Sequence, residues 1–282
     1  MKVYASFPEN YELLDAGGGL KLERWGEVIT IRPEHQAYFK SGLPFTEWRS
    51  MAHAEFVPVS EGSLQGHWKK LQDTCPDEWN FPSGACTFHL ALTSNKHVGL
   101  FPEQNVHWQE LLQLNTDHCF LNLFAYTGAA SCYARSTGAH VTQVDSVKAM
   151  NEWGKQNMEL SGFSDIRWLH DDALKFVEKE LKRGNLYDVI QMDPPAWGMG
   201  AKREKWKLED LLPSLLDKTL QLLAPGGLLI VNTYSPKVRQ KELQQLVAPY
   251  QKSVESITIT ELWMKTNTGK ELFYGDFLKV RK

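Results

Sequence analysis

The chain has 282 residues, 42% hydrophobic and 11% aromatic, enough for one large domain beside a smaller one, and its net charge of −3 is not that of a dedicated nucleic-acid binder. No run approaches the roughly 18 apolar residues of a membrane helix, and Met1-Lys2-Val3-Tyr4 lacks the apolar core of a secretion signal, so neither membrane insertion nor export is expected. Four cysteines with no CxxC spacing fit a reducing, cytoplasmic setting, and nine histidines without zinc-type spacing predict no bound metal.

From the N terminus, residues 20–32 alternate apolar and polar on both sides of Gly26 and predict a hairpin, while residues 54–59 and 88–92 predict further strands. Turn-rich stretches at 15–19 and 76–84 join them. This pattern predicts a small β-rich N-terminal domain over residues 1–84, followed with no long linker by an α/β domain over residues 85–282. The first domain carries no recognisable RNA-binding motif.

Residues 96–105 read as a hairpin end before a helix from 106 to 114. The apolar run 119–123 then leads into Phe124-Ala125-Tyr126-Thr127-Gly128, followed by Ala129 and Ala130. Small residues at a strand-to-helix turn let a ligand approach the backbone closely. The next strand, 140–145, ends on Asp145, about 20 residues past the glycine turn, where doubly wound sheets bind ribose hydroxyls. A third strand, 166–170, ends in Asp171-Asp172. Taken singly, Asp145 or Asp172 also reads as the cap of the following helix.

A fourth strand ends on Asp193-Pro194-Pro195-Ala196-Trp197-Gly198. The two prolines fix φ and remove two backbone donors, which leaves a rigid, acceptor-rich lip beside an indole. Such a lip suits a planar group bearing N–H donors, such as a nucleobase, although Asp before Pro is also a common way to leave a strand. Lys202, Arg203, Lys205 and Lys207 crowd the positions that follow, and Lys237, Arg239 and Lys241 follow the fifth strand. Both groups would meet substrate phosphates at the carboxyl edge of the sheet, or else form a solvated face balanced by Glu204, Glu209 and Asp210. Pro225-Gly226-Gly227 separates a helix from the fifth strand.

Three strand ends in succession carry acids, Asp145, Asp171-Asp172 and Asp193, which is the rhythm of a doubly wound α/β sheet and is hard to explain by capping alone. A dinucleotide dehydrogenase shares that rhythm. This chain has no G-x-G-x-x-G after its first strand, so the tight pyrophosphate cradle is missing.

The order from Asn122 to Asn232 resembles a class I S-adenosylmethionine-dependent methyltransferase: glycine turn, strand-end acids Asp145 and Asp172, Asp-Pro-Pro, then Pro-Gly-Gly. It is most similar to the ribosomal RNA methyltransferase-like group, whose first motif reads much like residues 122–128 and whose fourth resembles residues 193–200. The likeness covers roughly residues 85 to 282. It implies a Rossmann-like, seven-stranded sheet whose last two strands are residues 253–263 and 272–280, the final one antiparallel. It also implies a cofactor, S-adenosyl-L-methionine, with Gly128 and the backbone of Phe124, Ala125 and Tyr126 under its methionine part. Asp145 would hold the ribose, Asp172 with Asp171 would accept from the adenine amine, and Gln104 would pack over the cofactor.

Related RNA enzymes that methylate carbon five of a pyrimidine need a cysteine nucleophile after the Asp-Pro-Pro or in the fifth-strand turn. Here Cys75, Cys86, Cys119 and Cys132 all precede the second strand. A nitrogen target needs no covalent step: Asp193 and the Pro194 carbonyl would accept from its protons, Pro195 would stiffen the lip and Trp197 would stack on the base. The ring stands one position later than in similar enzymes, which leaves an endocyclic nitrogen open. The expectation is a methyltransferase acting on a base nitrogen in RNA, with ribosomal RNA as the expected polymer, held through Lys202, Arg203, Lys205 and Lys207. A protein side-chain amide or a small molecule is the alternative acceptor, and a non-catalytic RNA-binding or assembly factor on the same fold the alternative class.

Overall fold

The computed structural model describes residues 1–6, 10–199 and 205–282. The chain divides into two compact units, each discontinuous in sequence. One comprises Tyr4–Asn105 with Trp263–Phe273, and the other comprises Met1–Val3, Val106–Leu262 and Tyr274–Lys282.

In chain order the first strands are β1 (Lys2–Tyr4), β2 (Tyr11–Gly17), β3 (Leu20–Trp25) and β4 (Val28–Pro33). Helix α1 (Phe45–Met51) precedes β5 (Ala54–Pro58), β6 (Gly66–Lys70), β7 (Glu78–Ser83) and β8 (Cys86–Ala91). Strands β2 to β6 form one sheet in that order, and β7 and β8 form a separate ribbon. The hairpin predicted around Gly26 pairs Trp25 with Val28. Gly17 is required by crowding, because a Cβ there would lie 2.2 Å from the Ser41 nitrogen. Alternation in β3 and β4 sends Leu22, Ile29 and Ile31 into a core with Trp48 and Ala52. The sequence places a domain boundary at residue 84. That position is the turn of the β7–β8 ribbon, where Ser83 pairs with Cys86, and the unit as observed continues to Asn105.

The second unit carries α2 (Asn105–Leu111), β9 (Cys119–Leu123), α3 (Ala129–Ser136), β10 (His140–Asp145), α4 (Lys148–Leu160), β11 (Ile166–His170) and α5 (Ala173–Arg183). There follow β12 (Tyr187–Met192), β13 (Trp197–Met199), β14 (Lys205–Lys207), α6 (Leu208–Leu222), β15 (Leu223–Thr233) and α7 (Gln240–Val247). The closing strands are β16 (Ser256–Lys265) and β17 (Glu271–Arg281). Helix α2 is shorter than the predicted 106–114.

The main sheet runs β1-β16-β17-β15-β12-β9-β10-β11. Strands β11, β10, β9, β12 and β15 are mutually parallel, and β17 is antiparallel to β15. Seven of these strands are the predicted Rossmann-like set, and β1 adds an eighth at the edge. The Pro-Gly-Gly segment lies inside β15: pairing with β12 jumps from Leu223 to Leu228, so residues 224–227 bulge out of register. The chain crosses from β11 back over β9 to β12, which makes the carboxyl ends of β9 and β12 a topological switch point.

One sheet face is apolar, with Leu121, Leu123, Val144, Ile190, Met192, Leu229 and Val231 packed on Phe176 and Val177 of α5 and Leu212, Leu215 and Leu216 of α6. The side chains that alternate with these include three buried carboxamides in one row, Gln143 beside Asn122 beside Gln191. That row lies two residues before Asp145, Phe124 and Asp193 along the chain. Among the described residues no helix is long and apolar enough to cross a membrane.

Candidate active site at the carboxyl ends of the parallel strands

The loop after β9 is conformationally strained. Phe124 and Tyr126 have φ of 54° and 52°, and Gly128 has φ of 78°. Positive φ in aromatic residues costs on the order of 1–3 kcal/mol each and persists only where neighbours enforce it. The enforcement is visible. Tyr126 N–H donates to Asp145 Oδ2 at 2.8 Å, Gln143 Nε2 to the Tyr126 carbonyl at 3.2 Å, and Asn157 Nδ2 to the Thr127 carbonyl at 2.8 Å. Asn151 accepts from Gln143 at 3.2 Å and donates to the Leu169 carbonyl at 3.0 Å. Any side chain at 128 would put its Cβ 2.6 Å from Gln143 Oε1, so the turn is closed to all but glycine.

Asp145 ends β10 and is buried. Its oxygens accept from Tyr126 and Val147 N–H groups, both at 2.8 Å, which leaves acceptor capacity on each oxygen. Burial raises its pKa, against the two backbone donors. Asp172 is the N-cap of α5 and accepts from Lys175 N–H at 3.0 Å through Oδ1. Asp171 accepts from Asp172 N–H at 3.0 Å and pairs with Lys179. The capping alternative therefore holds for Asp172. Gln104 is buried in a 3₁₀ turn, Pro102–Gln104, within the other unit.

Asp193 follows β12 directly, and Asn232, near the end of the neighbouring β15, donates to its Oδ1 at 3.1 Å. Burial pushes the Asp193 carboxyl up to about 6, with the Asn232 amide opposing the rise. The Pro195 carbonyl accepts from Trp206 Nε1 at 2.6 Å, and the Trp206 ring lies 4.7 Å from that of Phe124. One indole thus ties the Asp-Pro-Pro lip to the strained loop. It is Trp206, which is buried; Trp197, the ring singled out from the sequence, stands 63% exposed on β13.

Lys205 and Lys207 lie on β14, exposed, with Lys207 near Glu209 at 3.4 Å and Asp210 at 3.2 Å. Lys202 and Arg203 fall outside the described residues. Lys237 pairs with Glu209 at 2.8 Å and Arg239 with Asp276, so much of the second basic group is neutralised locally. A cavity of about 340 Å³, lined in part by Cys119, His140 and Tyr187, opens at the amino ends of the strands. Its lining includes none of the strand-end acids Asp145, Asp171, Asp172 and Asp193.

Sequence reasoning did not single out Gln143, Asn151, Asn157, Asn232 or Trp206 for these roles. Only their register with the acids reveals them.

Residues 66–261 match the family described as S-adenosylmethionine-dependent methyltransferase. The crystal structure of a SAM-dependent methyltransferase from Agrobacterium tumefaciens is 32% identical, with a TM-score of 0.92 over 100% of this chain and 93% of its own. The ribosomal RNA large subunit methyltransferase K/L of Methylococcus capsulatus is 34% identical over 163 residues, 56% of this chain and 22% of its own. The protein of that name from Pseudomonas syringae is 32% identical over 235 residues, 82% of this chain and 27% of its own. The chain therefore spans between 22% and 27% of the length of these two curated relatives.

Proposed function

The chain belongs to the S-adenosylmethionine-dependent methyltransferase family, and on that premise we propose that it methylates a base nitrogen in RNA, with ribosomal RNA of the cytoplasm as the substrate. The observation that carries this reading is the Asp193 carboxyl, buried and held by Asn232 at the switch point of the sheet. The relatives named above as ribosomal RNA methyltransferases support the choice of polymer. None of the four cysteines is joined in a disulfide, which fits a reducing compartment.

When bound, S-adenosylmethionine supplies an electrophilic methyl group. The residues present fit it: the strained backbone at 124–128 admits close approach, and Asp145 keeps acceptor capacity for two ribose hydroxyls. In this reading Asp172, helped by Asp171, accepts from the adenine amine with the oxygen its cap leaves over.

A ring-conjugated amine is a weak nucleophile. With its N–H groups donating to Asp193 and to the Pro194 carbonyl, its lone pair leaves conjugation and is aimed at the methyl group. At neutral pH a carboxyl titrating near 6 is mostly ionised and so accepts rather than donates. Pro194 and Pro195 fix the lip and Trp206 braces it. Taking a base out of a stack costs about a few kcal/mol, which hydrogen bonds to Asp193 and the Pro194 carbonyl help to offset. Lys205 and Lys207, exposed on β14, meet the phosphates.

The test is transfer of labelled methyl from S-adenosylmethionine to unmodified total RNA, with parallel nuclease and protease digestion. Label released by nuclease and located by mass on a base nitrogen is the expected result. Label released only by protease moves the acceptor to a protein amide and overturns the reading.

A further inference from the structure

Strands β13 and β14 form a two-stranded antiparallel ribbon that starts two residues after the Asp-Pro-Pro lip, pairing Trp197 with Lys207, Gly198 with Trp206 and Met199 with Lys205. Alternation gives the ribbon two faces. Gly198 and Trp206 turn inward, and Trp206 is anchored by its bond to the Pro195 carbonyl and by packing on Phe124. Trp197 and Met199 turn outward, 63% and 52% exposed, flanked across the ribbon by Lys207 and Lys205. Two large apolar side chains are thus held out to solvent by a ribbon whose other face is locked into the core.

We propose that this outward face is a docking surface for an unpaired nucleotide flanking the target in the RNA, with the flanking base stacked on Trp197 and Met199 and its phosphate beside Lys205. The inference rests on the RNA reading above and deepens it. Division of labour between the two indoles is its basis. Trp206 stiffens the lip that faces the reacting base, whereas Trp197 stands on the opposite face of the ribbon, directed away from the contacts that hold the lip. Trp197 is four residues along the chain from Asp193, a contour of at most about 14 Å, so the two can serve neighbouring nucleotides of one short single strand.

The composition of the face favours a base over other occupants. Lys207 leans on Glu209 and Asp210, so positive charge is modest and an acidic peptide gains little here. Every nucleobase offers a π face to an indole whatever its sequence, and a thioether beside it adapts to differing ring sizes. A duplex cannot present such a face, because its bases are already stacked on one another. The surface therefore selects RNA that is single-stranded or opened beside the target.

The experiment uses the full chain and a short fluorescein-labelled RNA oligonucleotide of mixed sequence, alone or annealed to its complement, with methyl transfer to unmodified total RNA measured in parallel. The wild type should bind the single strand more tightly than the duplex. Trp197→Ala should weaken single-strand binding about tenfold or more and abolish that preference, raise KM for RNA, and leave kcat at saturating RNA unchanged. Trp197→Phe should recover most of the loss. The substituted side chain is exposed, and an unchanged Tm in both variants excludes unfolding as the cause. Unaltered RNA binding in Trp197→Ala, with transfer to RNA intact, overturns the docking surface while leaving the RNA reading in place. A fall in kcat at unchanged KM also overturns it, because Trp197 would then act on the reacting base. Failure of the wild type either to bind or to methylate RNA overturns both, and concentration-dependent dimerisation lost in Trp197→Ala would assign the face to a second copy of the chain.

Discussion

Burial that pushes the Asp193 carboxyl up to about 6 leaves it ionised at neutral pH at a cost to the folded state. An acid whose folded pKa exceeds its unfolded value binds more protons when folded. Its contribution to stability falls as pH rises from about 4 to about 6 and stays lower beyond, by on the order of 1–3 kcal/mol. Asp193→Asn should accordingly raise Tm at neutral pH, and the gain should vanish below about pH 4. The same substitution should lower kcat by about 10²- to 10⁴-fold while affinity for S-adenosylhomocysteine is kept. In the wild type kcat should rise with pH through about 6. Asn232→Ala should move that limb upward, because the N–H favouring the ionised form is gone. Thermal unfolding at two pH values and single-turnover transfer check these outcomes together. An Asp193→Asn variant with wild-type kcat would remove the residue from the chemistry.

Helix α2 meets β17 through His107, which is fully buried and edge-on to Phe277 at 4.8 Å, with no hydrogen-bond partner on either ring nitrogen among the described residues. Burial, aided by the Lys279 ammonium, pushes its pKa down to about 3. The unfolded chain takes up a proton near 6.5 while the folded one does not, so stability present above that value is lost as pH falls, by about 2 kcal/mol near pH 5. In His107→Leu the drop in Tm between neutral pH and about pH 5 should be smaller than in the wild type; an identical drop would place the acid sensitivity elsewhere. Strands β9 to β12, and the acids that close the last three, were legible in the sequence because short runs rich in apolar and β-branched residues end there abruptly on acids or a glycine turn. The ribbon was not, since three residues per strand give no readable alternation. Which of Trp197 and Trp206 turns inward is decided by the Pro195 carbonyl and the Phe124 ring. Likewise Gln143, Asn151 and Asn157 look like ordinary polar residues until strand register puts them under the loop they hold.

Both units of the molecule are stitched from distant parts of the chain, which no linear domain boundary describes. Asp15 shows why this matters for stability. It is wholly buried, and its carboxylate accepts from the N–H groups of Ala16, Gly42 and Leu43, from Trp48 Nε1 at 3.0 Å and from the Thr268 hydroxyl. Burial alone would raise its pKa, but Thr268 and the three backbone donors outweigh it and hold the group below its usual value. A depressed carboxyl contributes stability above its unfolded pKa and loses it as pH falls below about 4. Thr268 sits at the tip between β16 and β17, whose Asn267 also donates its backbone N–H to the Leu13 carbonyl at 3.0 Å and its side-chain amide to Glu12 Oε2 at 2.8 Å. The β-rich unit is thus completed by residues 263–273 rather than by its own contiguous sequence. Thr268→Val should remove one donor to a buried charge and lower stability at neutral pH by about 1.5–3 kcal/mol, the effect fading as Asp15 protonates. A fragment ending at residue 105 loses every bond from the tip at once and should unfold at lower temperature and with less cooperativity than the same region of the full chain. Equal Tm for Thr268→Val and wild type, together with a fragment that unfolds as sharply as the whole, would mean that the tip rests on the unit without holding it.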